Sequence, residues 1–175
     1  MSLSELINKY QINIEAARKA DDYVFNHTMI RVKDLPKAID FYSKVLGFIP
    51  VYEERFEEAA FTIVYLVRRP LSEIPQDDQQ LKQWALSQPG VLELTWNHGT
   101  EKEADFHYHN GNAQPQGFGH LCVSVPDVRQ ACERFEQLSV PFQKKLSEGR
   151  MNYVAFIKDP DGYWIEILQP TPLDN

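Results

Sequence analysis

The sequence predicts an α+β fold made of two tandem βαβββ modules. The pattern His-x4-Val-x-Asp-x3-Ala occurs twice, at residues 27–38 and 120–131. Each occurrence is followed by apolar residues at helical spacing, and then by segments with the composition of β-strands. Because such a duplication repeats one supersecondary unit, it predicts two modules of the same topology, each with a curved mixed sheet.

Each module is predicted to begin with a short strand and a helix. Asp34 and Asp127 stand where a helix N-cap is expected, Pro36 follows early in the first helix, and Gly47 stands at its end. The apolar stripe of the first helix comprises Leu35, Ala38, Ile39, Tyr42, Val45 and Leu46, and that of the second comprises Val128, Ala131, Cys132, Phe135 and Leu138. These stripes predict helices that pack on one face of each sheet.

Three further strands complete each module. In the first module, residues 48–56 and 59–67 predict a hairpin with its turn at 57–58; in the second, residues 142–146 and 152–158 predict one with its turn at 147–149. The closing strands, at 91–94 and 164–167, are apolar apart from one acid each, Glu93 and Glu166.

The two modules differ in length. His27 and Glu93 are 66 residues apart, whereas His120 and Glu166 are 46 apart, so the first module carries about 20 extra residues. This insert, at about 68–90, contains three prolines around a short helix predicted at 79–86. The predicted divisions are a helical arm at 1–22 that packs on another surface, a first module at 23–98, a linker loop at 99–117, a second module at 118–170 and a tail at 171–175.

Composition excludes several classes of protein. A chain of 175 residues with 43% hydrophobic and 25% charged residues is neither disordered nor fibrous. Eighteen basic against 25 acidic residues give a net charge of −7, which disfavours nucleic acid as a partner. Neither a membrane-spanning run nor a signal peptide is recognisable, so we expect no membrane association and a cytoplasmic location. Cys122 and Cys132 lie outside any C-x-x-C spacing and are expected to be small buried apolar side chains.

Strand alternation places four potential metal ligands on equivalent surfaces. In each module the histidine of the first strand and the glutamate of the last face away from the aliphatic side that the helix must cover. The four residues are His27, Glu93, His120 and Glu166. Two imidazoles and two carboxylates suit a borderline divalent ion such as zinc, nickel, cobalt or manganese, with coordination positions left open. A lone strand histidine is usually a bystander, but the duplicated register favours a metal site on the concave face. His98, His107 and His109 are expected to lie in surface loops.

Several segments, taken in order, resemble a known family. They are residues 27–34, 40–42, 92–95, 117–120 and 159–166, the last reading Asp-Pro-Asp-Gly-Tyr-Trp-Ile-Glu. Together they resemble glyoxalase I, the lactoylglutathione lyase family of the vicinal-oxygen-chelate superfamily, over about residues 23–170. The resemblance implies the same four metal ligands. It also implies a homodimer in which the first-module half of a site meets the second-module half of the other chain.

The resemblance further implies a substrate and a reaction. The reaction is the isomerisation of the hemithioacetal of methylglyoxal and glutathione to S-lactoylglutathione through a metal-stabilised enediolate. Glu166 is assigned as the main base and Glu93 as its near-symmetric partner. The implied glutathione contacts are Arg31, Asn97, Lys144 and Gly149; the implied apolar pocket is Phe56, Phe61, Ile63, Met151 and Phe156. Gln116 stands where the family usually has arginine, and Arg150 and Lys145 are candidates to compensate. The insert and the arm resemble those of the zinc-type enzymes, with nickel or cobalt as alternatives.

Other functions of this architecture remain open at the level of sequence. The same fold serves metal-dependent dioxygenases, glutathione transferase-type resistance enzymes and metal-free drug-binding proteins. A dioxygenase would normally use two histidines and one carboxylate to hold iron, whereas this chain offers two of each. A pure binding module would not need all four ligands.

Overall fold

A computed structural model describes residues 1–149, 151 and 153–171 of the chain. The elements, in chain order, are α1 (Leu3–Lys9), α2 (Ile14–Arg18), β1 (His27–Val32), α3 (Leu35–Leu46), β2 (Ile49–Phe56), β3 (Phe61–Val67), α4 (Asp78–Ser87), β4 (Val91–Asn97), β5 (His120–Ser124), α5 (Val128–Gln137), β6 (Phe142–Lys144), β7 (Val154–Lys158) and β8 (Trp164–Leu168). Short 3-10 helices lie at Leu71–Glu73 and Thr100–Lys102. The helices of the described ranges are too short or too polar to traverse a bilayer.

The predicted α+β fold with two βαβββ units is confirmed by the sheet topology. The strand orders are β1-β4-β3-β2 and β5-β8-β7-β6, and in both sheets the first and last strands of the unit pair in parallel. The registers are also equivalent, since His27 lies opposite Val91 and His120 lies opposite Trp164. The acidic residue therefore stands two positions beyond the residue opposite each histidine.

The helix that follows the first strand of each module starts as predicted. The Asp34 side chain accepts a hydrogen bond from the Lys37 amide at 3.1 Å, and Asp127 accepts two from the amides of the first turn of α5. Gly47 ends α3 with φ of 72°, a left-handed conformation that glycine adopts without steric cost. Each capping aspartate satisfies amides that would otherwise lack a partner.

The strand ends differ from the predicted limits in the two hairpins. β3 begins at Phe61 because residues 57–60 form the turn, with Ala60 at φ of 52°. β6 is only three residues long, where the sequence predicted five, and its pairing with β7 is irregular between Phe142 and Lys144. β7 begins at Val154, and position 152, where the predicted strand starts, lies outside the described residues. The helix predicted in the insert is α4.

One hydrophobic core extends through both modules. The aliphatic faces of the two sheets and the stripes of α3 and α5 contribute to it together. Its most deeply buried members include Val32, Tyr42, Leu66, Leu94, Val128, Ile157, Ile165 and Ile167. A second cluster lies on the other face of the first sheet and includes Ile63, Tyr65, Val67 and Val91 of the sheet together with Ala85 of α4. The insert thus buries part of the concave face of the first module.

Polar contacts also join the two modules. Within the core, the Tyr42 hydroxyl on α3 donates to Asp159 Oδ2 of the second module at 2.8 Å. The Lys33 amide donates to Asp161 Oδ1 at 2.9 Å, and the Arg134 guanidinium on α5 donates to the Val45 carbonyl at 2.7 Å. Asp159 is 4% exposed, and this burial raises its pKa to about 6, against the lowering effect of its hydrogen bonds.

The raised pKa of Asp159 predicts a specific dependence of stability on pH. The folded protein holds this proton more tightly than the unfolded chain, whose carboxyl titrates near 3.8, so the stabilisation is complete below pH 4 and is lost as pH rises through 6. The free energy of unfolding of the native protein relative to Asp159→Asn should fall by about 2–3 kcal/mol between pH 4 and 7. Urea unfolding of both proteins at one protein concentration measures this difference; a difference that does not change with pH contradicts it.

The helices of the N-terminal arm bury none of their apolar side chains against the rest of the chain. None of the residues of α1 and α2, all of which the structure describes, is buried. Between the arm and β1, Tyr23 and Phe25 are 79% and 84% exposed. The sequence predicted that the arm packs on another surface. Within its own chain, such packing buries no side chain of α1 or α2.

Candidate metal centre

The first pair of predicted ligands, here called the first half-site, is His27 and Glu93. They project from the neighbouring parallel strands β1 and β4 on the same face of the sheet. His27 Nε2 lies 3.3 Å from Glu93 Oε2, and the two side chains are 35% and 13% exposed. The Thr95 hydroxyl donates to the other carboxylate oxygen of Glu93 at 3.1 Å, and the Tyr65 ring lies 5.7 Å from the imidazole.

The second half-site, His120 and Glu166, repeats this geometry. It projects from the parallel strands β5 and β8, and His120 Nε2 lies 3.3 Å from Glu166 Oε2. These side chains are 41% and 20% exposed. Phe156 packs edge-on against the imidazole, with the ring centres 5.3 Å apart. Two equivalent pairs with the same separation follow from the equal registers of the two sheets.

The hydrogen bonding of His27 makes the first half-site suitable for a cation. His27 Nδ1 lies 2.7 Å from Asn26 Oδ1, an oxygen that can only accept, so Nδ1 carries the proton. In the neutral imidazole, Nε2 then presents its lone pair to the Glu93 carboxylate. Two acceptors 3.3 Å apart repel each other unless a cation or a proton lies between them. The residues present therefore fit a divalent metal ion.

A single chain brings the four residues together only as two pairs. Among the described residues, no group of three or more histidine, cysteine, aspartate and glutamate side chains is close enough to hold a metal ion. His27 meets Glu93, and His120 meets Glu166, on two partly exposed surfaces.

Cys122 is not the buried side chain that the sequence led us to expect. It is exposed on the concave face of the second sheet, opposite Glu166 in the register, because it alternates with Leu121 and Val123 along β5. Partial burial of its sulfur, together with the hydrogen bond to Glu166 and the charge of that carboxylate, raises the pKa of the thiol to about 11. Cys132, on α5, is half-buried.

The residues that the family resemblance assigned to glutathione binding lie in both modules. Arg31 is exposed on the same face of β1 as His27, and Asn97 accepts a hydrogen bond from the Tyr108 hydroxyl at 3.1 Å. Lys144 Nζ donates to the carbonyl oxygens of Lys145, Met151 and Val154, at 3.2, 2.6 and 2.9 Å. An anion that binds Lys144 must therefore displace at least one of these backbone contacts.

The remaining predicted contacts lie around the second hairpin and the linker loop. Gly149 has φ of 71°, and Met151 is exposed close to Lys144. Gln116 is exposed in the loop before β5, and Lys145 forms an ion pair with Glu136 at 2.7 Å. Arg150 lies outside the described residues.

The predicted apolar pocket and the other histidines have defined surroundings. Phe56 and Phe61 stack with ring centres 4.6 Å apart, and Ile63 is buried beside them on the concave side of the first sheet. His98 Nε2 lies 2.9 Å from the Thr62 hydroxyl. His107 and His109 are exposed in the linker loop, as predicted.

The loop that leads into the second half-site depends on one glycine. A Cβ on Gly111, at φ of 87°, would lie 1.9 Å from the Phe118 carbonyl oxygen, whereas one on Gly117 would meet nothing within 4 Å. Gly111→Ala should lower the free energy of unfolding by about 2–5 kcal/mol, because left-handed backbone and overpacking both cost energy, and Gly117→Ala should lower it far less. Thermal unfolding of the two variants compares them; equal losses would contradict this account.

Two residues next to the first half-site were not predicted from the sequence. Asn26 stands immediately before β1, and its contact with His27 is not signalled by any repeat, because the second module has Gly119 at that position. Tyr65 was assigned only to a strand, although its position across from Glu93 follows once the register is known.

The duplicated fold and the two histidine–glutamate pairs are features of one class of protein, and comparison with known proteins identifies that class. A family model described as the Glyoxalase/Bleomycin resistance protein/Dioxygenase superfamily matches residues 24–167, and the chain belongs to this family. It is 58% identical to a lactoylglutathione lyase of Pseudomonas putida over 173 residues, which cover 99% of this chain and all of that one.

Two more distant relatives point in the same direction. A glyoxalase I of Saccharomyces cerevisiae is 43% identical over 161 residues, which cover 91% of this chain and 49% of the yeast protein, so the chain spans about half of that relative. The solved structure of the trypanothione-dependent glyoxalase I of Leishmania major is 32% identical and superposes with a TM-score of 0.62, covering 83% of this chain and 85% of that one.

Proposed function

We propose that the chain is a lactoylglutathione lyase, which isomerises the hemithioacetal of methylglyoxal and glutathione to S-lactoylglutathione. One observation carries this proposal. Two histidine–glutamate pairs with the same 3.3 Å separation occupy equivalent places in the two sheets of a duplicated fold. The match to a lactoylglutathione lyase over its full length supports the proposal independently. A protein that only binds an organic ligand would not need two such histidine–glutamate pairs.

The reaction requires a proton to move between two adjacent carbon atoms of the substrate. We assign the transfer to Glu166, with Glu93 as its partner, since a carboxylate beside both carbons can remove a proton from one and return it to the other. His27, Glu93, His120 and Glu166 would hold the metal. When bound, the metal supplies Lewis acidity that stabilises the negative charge developing on the substrate oxygens.

Glutathione carries two carboxylates, and the chain offers cations on the matching surfaces. Arg31 lies on the face of the first half-site and is exposed, so we propose that it binds one carboxylate, with Asn97 nearby on the same side. Lys144, Gly149 and Met151 would form the contacts of the second-module side. Phe156, which packs on His120, would shelter the apolar substituent of the aldehyde together with Phe56, Phe61 and Ile63.

We propose a homodimer as the functional unit. Each chain presents two partly exposed half-sites, and each half-site supplies only one imidazole and one carboxylate. Pairing the first half-site of one chain with the second half-site of another would bring two imidazoles and two carboxylates together. The exposed apolar residues of the arm, among them Leu3 and Tyr10, and the exposed Phe25 between the arm and β1 offer additional surface for such a contact.

Zinc is the metal that we propose, with nickel and cobalt as alternatives. Two imidazoles and two carboxylates with open positions suit all three ions, and the arm and the insert that carries α4 favour zinc by their resemblance to the zinc-type enzymes. Metal analysis of the purified protein, followed by reactivation of the metal-free protein with each ion, decides between them. We also propose a cytoplasmic location, because glutathione is a principal thiol of the cytosol.

The proposed activity is tested by the absorbance of the thioester product. Methylglyoxal and glutathione, mixed with the protein, should give a rate of thioester formation that a chelator abolishes and added zinc restores. Denatured protein at the same concentration is the control. Iron as the bound metal with no thioester formation would favour a dioxygenase, and absence of any divalent metal would favour a binding protein; either result overturns the proposal.

A further inference from the structure

The side chain of Asn26 is fixed by the insert helix. Asn26 Nδ2 donates to two carbonyl oxygens at the C-terminal end of α4, those of Ala85 at 2.8 Å and Gln88 at 2.6 Å. The last carbonyl groups of a helix lack the amide partner four residues further on, so they can accept from side chains. The Ala85 carbonyl accepts from the Gln88 amide at 3.1 Å, and its second lone pair can accept from Asn26. With both amide protons committed, the amide can adopt only one orientation, and Oδ1 must point away from α4.

The backbone of Asn26 is held as firmly as its side chain. The Val91 amide of β4 donates to the Asn26 carbonyl at 2.9 Å, which continues the parallel ladder one step before β1. The Asn26 side chain is therefore held between the C-terminal end of α4 and β1, the edge strand of the first sheet. Oδ1 lies 2.7 Å from His27 Nδ1, a short hydrogen bond.

We infer that Asn26 is a positioning residue, which sets the tautomer and ring orientation of His27 by linking it to the C-terminal end of α4. The amide orientation obliges His27 Nδ1 to carry the proton, and this leaves the lone pair of Nε2 directed at Glu93. In a metal site, such a partner raises the basicity of the imidazole and reduces the reorientation needed on binding. The consequence for metal affinity rests on the proposed function, whereas the tautomer does not.

The described residues of the second module contain no counterpart of Asn26. Gly119 precedes His120, and it has no side chain that could accept a hydrogen bond from the ring. Residues 159–163, which join the third and fourth strands of the second module and are all described, contain no helix, whereas α4 occupies this place in the first module. Orientation of a histidine by the insert is thus confined to the first half-site, and His120 serves as an internal reference in the same protein.

Nitrogen NMR of the imidazoles in the metal-free protein, with the rings neutral, tests the inference. In the native protein, His27 should be the Nδ1–H tautomer. Asn26→Ala should convert His27 to a mixture of tautomers and leave the His120 signals unchanged. Asn26→Asp retains an acceptor for Nδ1–H while losing both donors to α4, so it should keep the native tautomer. Asn110→Ala, which removes an asparagine bound to the Gly162 carbonyl at 2.9 Å, is the matched control and should change neither ring.

Zinc affinity, measured by competition with a chromophoric chelator, supplies the second readout. Asn26→Ala should weaken zinc binding about 10- to 100-fold, and Asn26→Asp should recover most of the loss. An unchanged His27 tautomer in Asn26→Ala overturns the inference. A changed tautomer with unchanged zinc affinity overturns the link to the metal. The predicted tautomers in a protein that forms no thioester would instead refute the proposed function and leave the positioning role intact.

Discussion

Glu166→Gln is expected to retain its metal and to lose most of its turnover. The amide of glutamine can still coordinate a metal through its oxygen, but it cannot accept the substrate proton and return it to the next carbon. General acid–base groups contribute about 10²- to 10⁴-fold to rate, and a loss of this size in kcat is expected. Thioester formation measured at saturating substrate, with metal content determined on the same sample, checks both parts of the prediction.

Glu93→Gln is the matched comparison, because Glu93 has the same distance to its histidine and a hydrogen bond from Thr95. We expect a smaller loss of kcat than in Glu166→Gln, with metal retained in both. Near-normal turnover of Glu166→Gln would refute its assignment as the main base. Loss of metal in step with activity would contradict the expected retention of metal, because the Glu166 carboxylate would then be required for metal binding.

Two inactive variants are expected to restore activity when they are mixed. One carries His27→Ala and Glu93→Gln, and the other carries His120→Ala and Glu166→Gln, so each homodimer has a damaged half in both of its sites. After subunit exchange, half of the dimers are mixed, and each mixed dimer combines one fully damaged site with one fully native site. The activity recovered should approach about a quarter of that of the native protein, provided that a site takes its halves from different chains.

The control is a single chain that carries all four substitutions, mixed with either variant. Such mixtures cannot assemble a native site and should stay inactive. If both halves of a site came from one chain, every chain of either variant would carry a damaged site, and mixing would restore no activity. Size-exclusion chromatography of each variant shows whether dimers form, so failure of assembly is distinguished from failure of the pairing scheme.

The sequence could predict those parts of the site whose residues are placed by a repeated or alternating pattern. The duplicated pattern that begins at His27 and His120, with an acid in each closing strand, was enough to place four side chains on equivalent faces, because alternation in a strand depends only on the spacing of residues. The same alternation, applied consistently, also places Cys122 on the concave face beside His120. Its assignment as a buried residue relied on the average behaviour of cysteine and was wrong.

Contacts that depend on tertiary structure could not be predicted in this way. The carbonyl groups that bind the Lys144 ammonium belong to Met151 and to Val154, the first residue of β7, and no periodic pattern in the sequence predicts these contacts. The orientation of Asn26 depends on where the end of α4 comes to rest, and α4 belongs to an insert without a counterpart in the second module. The duplication is informative only where both copies retain the same residues.

The shared core has a consequence for how this protein unfolds and how it could be divided. The sheets bury their aliphatic faces against a common interior, and Tyr42 of the first module satisfies a carboxylate buried in the second. Separating the two modules at the linker would expose the aliphatic faces of both sheets and leave Asp159 without its tyrosine partner. Although the sequence consists of two repeats, we therefore expect the chain to melt in a single cooperative transition, and neither repeat to fold independently.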